Sequence, residues 1–194
     1  NGCTAVFNKF IGESDELLKA VSFFTAVDNV DYSLVIFDDF DGTSLQNTLT
    51  GKSGVIEVRG LHTIDLDDLI PITAGEDFYV YLELSDGGYA YDRTSDVPVL
   101  LGADYRTIVE SAASEDESYY QMNGQWLDFY NYDDPSGFQN TGNFCVKVLS
   151  TETGLKVNPN EGFMPKGPQF GPFDRATIEY AMQNKSLTDL EYEV

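Results

Sequence analysis

The sequence predicts an all-β protein, an antiparallel and jelly-roll-like β-sandwich. Three observations carry that expectation. Runs rich in Val, Ile, Phe, Tyr and Thr recur at short intervals along the 194 residues. Gly- and Asp-rich turns separate them, and helix signals between them are scarce.

The first expected strand is residues 4–10, ended by Gly12. Residues 17–25 (LLKAVSFFT) follow, with Val21, Phe23 and Thr25 alternating against Ala20, Ser22 and Phe24. Residues 32–37 (YSLVIF) are apolar on both faces, the pattern of a central strand packed on two sides. The acidic segment Asp38-Asp39-Phe40-Asp41-Gly42 is expected to stop it. Residues 54–66 read as one long or broken strand. Residues 77–84 (DFYVYLEL) alternate Phe78, Val80 and Leu82 against Tyr79, Tyr81 and Glu83, and Asp86-Gly87-Gly88 then turns the chain. Residues 97–101, 105–109, 118–122 and 143–149 complete the set. Single helical turns are expected at Ser14-Asp15-Glu16 and at Asp67-Asp68-Leu69-Ile70, before Pro71. The expected core is Phe23, Leu34, Ile36, Phe78, Val80, Leu82, Trp126 and Val146.

The texture changes near residue 151. A Gly/Pro-rich stretch over 162–172 precedes two further strand signals, 176–182 and 187–194. With the short run 155–157 before them, three strands in so short a segment leave open edges and little core. The expected division is therefore a sandwich over 1–151, then a linker and a truncated second β unit over 152–194. Charge divides the same way. Residues 1–144 hold 26 acids and 6 bases, whereas residues 145–194 hold 7 and 5.

The whole chain carries a formal charge of −22. Such a surface repels phosphate backbones and anionic lipid, which excludes nucleic acid as a partner. The excess acid is either a solvating surface or a source of oxygen ligands for Ca²⁺. No run approaches the ~20 apolar residues of a bilayer span, and no secretory signal pattern is present, so membrane insertion is not expected. The chain begins at Asn1 rather than Met, as a processed product or a piece of a longer protein would.

Catalytic patterns are missing. His62 is the only histidine and lies in a strand-like run, where a structural role is expected. There is no GxSxG, P-loop, GxGxxG or HExxH pattern. Cys145 sits in the apolar run Phe144-Cys145-Val146, where a thiol is buried and inert. Cys3 and Cys145 offer one possible disulfide, joining a first and a last strand set opposite each other; a pair of free thiols is the alternative.

Two kinds of cluster remain. Asp39, Asp41 and Gly42, in the acidic run that begins at Asp38, distantly resemble an EF-hand loop, although the glycine comes too early and no Glu closes it. They are either a plain acidic hairpin or a Ca²⁺ site of another type, and Asp133-Asp134-Pro135-Ser136-Gly137 offers the same choice. The rings of Tyr119, Tyr120, Trp126, Phe129, Tyr130 and Tyr132 form the second cluster. Tyr119, Tyr120, Trp126, Tyr130 and Tyr132 could stack on sugar faces, or pack as core and edge rings.

Four motifs, in order, carry a resemblance. They are residues 17–25; Ile72-Thr73-Ala74-Gly75-Glu76-Asp77-Phe78-Tyr79-Val80; Glu117-Ser118-Tyr119 through Asn123-Gly124-Gln125-Trp126 to Asp128; and Asn143-Phe144-Cys145-Val146-Lys147. Over residues 4–150 the chain resembles the lectin-like β-sandwich domains that follow papain-like (C1 family) cysteine peptidases in secreted archaeal and bacterial proteins. Residues 154–194 resemble the start of a BACON-like, Ig-like repeat through Leu155-Lys156-Val157-Asn158-Pro159, Gly171-Pro172-Phe173, Tyr180 and Gln183-Asn184. The resemblance implies that the peptidase's catalytic residues lie upstream and that none maps here. It also implies a secreted or cell-surface setting, with the adjacent domains of the same polypeptide as partners. Fold alone does not establish sugar binding. The expected function is a non-catalytic accessory module that binds a glycan or a cell-wall protein. The alternatives are a structural spacer and, least of all, an enzyme.

Overall fold

A computed structural model describes residues 2–100 and 104–152. In chain order the strands are β1 (Cys3–Ile11), β2 (Glu16–Thr25), β3 (Val30–Phe40), β4 (Leu45–Ile56), β5 (Gly60–Ile72) and β6 (Asp77–Leu84). They continue with β7 (Tyr91–Asp92), β8 (Ser95–Pro98), β9 (Arg106–Val109), β10 (Ser118–Met122) and β11 (Gln125–Asp128). A 3-10 turn (Phe129–Asn131) leads to β12 (Asn143–Phe144) and β13 (Lys147–Glu152). The second β unit expected over 152–194 lies, apart from residue 152, outside the described residues.

The fold is an all-β antiparallel sandwich, as the strand spacing predicts. One sheet has six strands in the order β11-β10-β1-β6-β3-β4, and the other runs β13-β2-β5. Two small ribbons, β12-β7 and β8-β9, complete it. Alternation builds the core. Val6, Leu34, Ile36, Phe78, Val80 and Leu82 from the larger sheet meet Leu18, Val21, Phe23, Ile70 and Ile72 from the smaller, all buried. Each large side chain removed from water contributes roughly 1.5–3 kcal/mol.

Several local expectations are overturned by partners distant in sequence. Asp67-Asp68-Leu69-Ile70 is strand, not helix, because Ile70 and Ile72 pair with Leu18 and Glu16 and reach the core. Ser14-Asp15-Glu16 also forms no helical turn; Asp15 accepts a hydrogen bond from the Ala74 amide, tying down the β5–β6 turn. The acidic segment does not stop β3 at Phe37, since Asp39 and Phe40 pair with Gln46 and Leu45 of β4. Residues 54–66 are broken between Ile56 and Gly60, where the chain leaves the larger sheet and enters the smaller.

The cysteine register is corrected as well. Cys3 faces Met122 of β10, while the last strand, β13, pairs with β2 in the other sheet. Cys3 and Cys145 are accordingly free thiols. Burial pushes both thiols up from their ordinary value, which keeps them protonated and unreactive near neutrality.

Candidate functional site

Strand alternation splits the ring cluster that the sequence presents as one. Phe7 of β1 pairs with Tyr119 on one side and Tyr81 on the other, and Gln121 pairs with Trp126. Phe7, Tyr81, Tyr119 and Trp126 therefore share the outer face of the six-stranded sheet. Tyr120 pairs with Val6, itself opposite Leu82, and so belongs to the inner face.

The outer rings form a plate. Phe7 lies at its centre, 0% exposed although among the described residues no second sheet covers this side. Tyr119 stacks on it at 4.7 Å, while Trp126 at 4.7 Å, Phe40 at 5.0 Å and Tyr79 at 5.9 Å approach edge-on. Tyr81 contacts both Trp126 and Phe37. Phe37, Phe40, Tyr81, Tyr119 and Trp126 keep part of their surface in water. Trp126 is thus half-buried on the outer face, not a residue of the core between the sheets. It covers Phe7 from above, a place its strand parity assigns it.

Carboxylates ring the plate. The Tyr119 hydroxyl donates to Asp116 Oδ1 at 2.5 Å, and the Tyr81 hydroxyl donates to Glu83 Oε2 at 2.7 Å. Burial and these acceptors hold both phenols well above their ordinary range. Burial likewise raises Tyr79, with the negative charges of Asp77, Asp39 and Asp116 adding to it and Lys9 opposing. Lys9 is bound to Asp77 at 2.7 Å. Among the described residues Asp39, Glu83, Asp116 and Asp128 pair with no cation.

The inner-face rings border a different feature. Tyr120, Phe129 and Tyr132 pack together, and Phe129 stacks on Phe144 at 4.5 Å. Phe129 also lies so close over Gly142 that a Cβ there would meet it at 2.7 Å. These rings line an open cleft of about 610 Å³ with Tyr89 and Cys3. Tyr89 donates to the Thr4 carbonyl at 2.6 Å, and burial pushes its phenol up to about 12. Tyr130 belongs to neither group; it makes no ring contact among the described residues, and its amide donates to Asp128.

The acidic loops have opposite fates. Asp41 Oδ1 accepts from the Thr43 and Ser44 amides and Oδ2 from Gln46, which closes the β3–β4 hairpin. Asp38 and Asp39, neighbours on a strand, point to opposite faces. Asp134 is buried and bound to Arg93 at 2.9 Å, with its Oδ1 accepting from the Ser136 amide; Asp133 stays exposed. Among the described residues no group of three or more His, Cys, Asp or Glu side chains is placed to hold a metal ion. His62 Nε2 lies 3.2 Å from Thr25 Oγ1, joining β5 to β2 as a structural residue would. Buried Ser118 Oγ lies 2.9 Å from both Asn8 Oδ1 and Asn143 Oδ1 and shares its one proton between them, which stitches β10 to β1 and β12.

Sequence reading missed Phe7, Phe37, Phe40, Tyr79 and Tyr81 as members of a site. The clean alternation of residues 77–84 did place Tyr79 and Tyr81 on the side opposite Phe78 and Val80. What was missing was the register that sets Phe7 between Tyr81 and Tyr119.

The family model described as a lectin-like domain matches residues 2–150. No curated protein matches the chain. Solved structures share its fold, among them these two. One is the crystal structure of the cysteine protease and lectin-like domains of Cwp84, a surface-layer-associated protein of Clostridium difficile, with 20% identity and a TM-score of 0.55 over 79% of this chain and 33% of that one. The other is the same clostridial cysteine protease after propeptide cleavage, with 20% identity and a TM-score of 0.56 over 79% of this chain and 37% of that one. The likeness is one of fold, and the chain spans about a third of the length of those structures.

Proposed function

Because this chain belongs to the lectin-like domain family, we propose that it is a non-catalytic accessory module beside a cysteine peptidase in a secreted or cell-surface protein. In this reading the plate on the outer face of the six-stranded sheet docks a glycan. The observation that carries it is the combination of partly exposed rings with hydroxyl–carboxylate pairs at their rim, Tyr119–Asp116 and Tyr81–Glu83. Aromatic faces stack on the C–H faces of pyranose rings, and each carboxylate keeps one oxygen for a sugar hydroxyl. The peptidase setting is supported by the two-domain organisation of the solved relative.

A glycan array and a cell-wall pull-down test this function. The expected result is a saccharide ligand whose binding is lost in Trp126→Ala while the far-UV spectrum is unchanged. A ligand indifferent to Trp126→Ala and Tyr81→Ala would remove the plate as the site, and absence of any glycan ligand would leave a spacer role.

A further inference from the structure

We propose that the ligand of this plate is a saccharide bearing free amines, an oligomer of unacetylated amino sugar; the inference rests on the glycan reading above and adds the charge of the sugar. The rings of the plate are surrounded by Asp39, Asp77, Glu83, Asp116 and Asp128. Among the described residues the one cation identified there, Lys9, is already held by Asp77 at 2.7 Å. An anionic sugar is repelled by this rim, and a neutral one gains nothing from its charge. An ammonium gains twice, from the carboxylates and from the faces of the rings, since a cation within about 6 Å of a ring centroid is attracted by its quadrupole.

The geometry also favours a saccharide over a basic peptide. Extended peptides gain affinity from main-chain hydrogen bonds to a sheet edge. The plate lies on a sheet face, where β1, β6 and β10 already have partners on both sides. Its centre therefore offers side chains only, and the one edge strand it reaches, β11, contributes Trp126 at its margin. Tiled rings with acceptors at their margin suit a ring-shaped ligand carrying donors around its perimeter.

The probes are the β-1,4-linked hexamers of glucosamine and of N-acetylglucosamine, which differ in amine charge, with poly-lysine as the control for charge alone. Titration calorimetry at pH 6 is expected to show glucosamine hexamer binding at least tenfold more tightly than the acetylated one. That preference should shrink when the pH is raised to deprotonate the amines. Trp126→Ala should weaken both sugars, whereas Asp116→Asn and Glu83→Gln, which keep the rings, should narrow the preference selectively. Equal binding of the two hexamers overturns the inference but leaves the glycan reading standing. Failure of both hexamers alongside a neutral or anionic hit on the array also overturns the inference alone. Failure of every saccharide removes both. Poly-lysine binding as tightly as glucosamine hexamer, and equally sensitive to Trp126→Ala, would assign the face to a basic polypeptide instead.

Discussion

The two faces of the six-stranded sheet are made by the same strands and sealed in different ways. On the inner face Val6, Leu34, Ile36, Val80 and Leu82 are covered by β2, β5 and β13, and aliphatic side chains suffice because a second layer excludes water. On the outer face the described residues form no second sheet, yet Phe7 is as fully buried as Ile36. Its cover is Tyr119, Trp126, Phe40 and Tyr79, rings large enough to shield a neighbour by lying across it. The difference teaches how each face of the sheet hides its apolar surface. A layer sealed by another sheet has nothing left to present, whereas a layer sealed by its own rings shows their far sides to solvent.

The contrast can be broken most directly at Phe7. If the plate seals as well as a second sheet does, Phe7→Ala should cost about 3–5 kcal/mol in chemical denaturation, the range of a buried aromatic truncation. A loss near 1 kcal/mol would mean that the outer face is wet and its rings mobile. Leu34→Ala supplies the inner-face reference, with an expected loss of about 3 kcal/mol and no effect on ligand binding.

Trp126→Ala should separate the faces more finely. It removes a half-exposed cover and its contacts with Phe7 and Tyr81, so about 1–2 kcal/mol is expected, with most of its effect falling on binding. The smallest effect belongs to the phenols. Tyr81 and Tyr119 ionise above their ordinary value of 10 in the fold. The unfolded chain therefore releases those protons first. Their contribution to stability is complete below pH 10 and is lost as pH rises through the folded values. Absorbance of tyrosinate near 295 nm should rise in a main step followed by a delayed one, and Glu83→Gln together with Asp116→Asn should pull the delayed step toward the first. A single step in the native protein would show that the hydroxyl–carboxylate pairs do not form in solution.

Much of the fold was legible because its cause is local. The alternation in residues 77–84 and 118–122 gives β6 and β10 at their observed limits. Seven of the eight expected core residues are buried between the sheets, and Trp126 is the exception. The strand β11 was missed, though a local signal for it existed. Asn123 and Gly124 both adopt positive φ, 52° and 76°, as the tight hairpin between β10 and β11 requires, and an Asn-Gly pair between strand-like runs announces that turn. The first half of β4 carried no such signal, since Gln46, Asn47 and Thr48 are polar residues on a solvent-exposed edge.

By itself the sequence determined the class of the protein, the parity of its main strands and the acidity of its surface, because each follows from residue type and nearest neighbours. Tertiary structure decided which rings meet. Nothing near Phe7 in the chain says that Tyr81 and Tyr119 flank it, or that Trp126 lies across it. Nor does anything beside Asp134 say that Arg93 will neutralise it, while Asp41 closes its own hairpin. Those choices are fixed by strand order and register. Both are set by the burial of the whole inner face at once, since a one-residue slip in any strand would turn its core residues out to water.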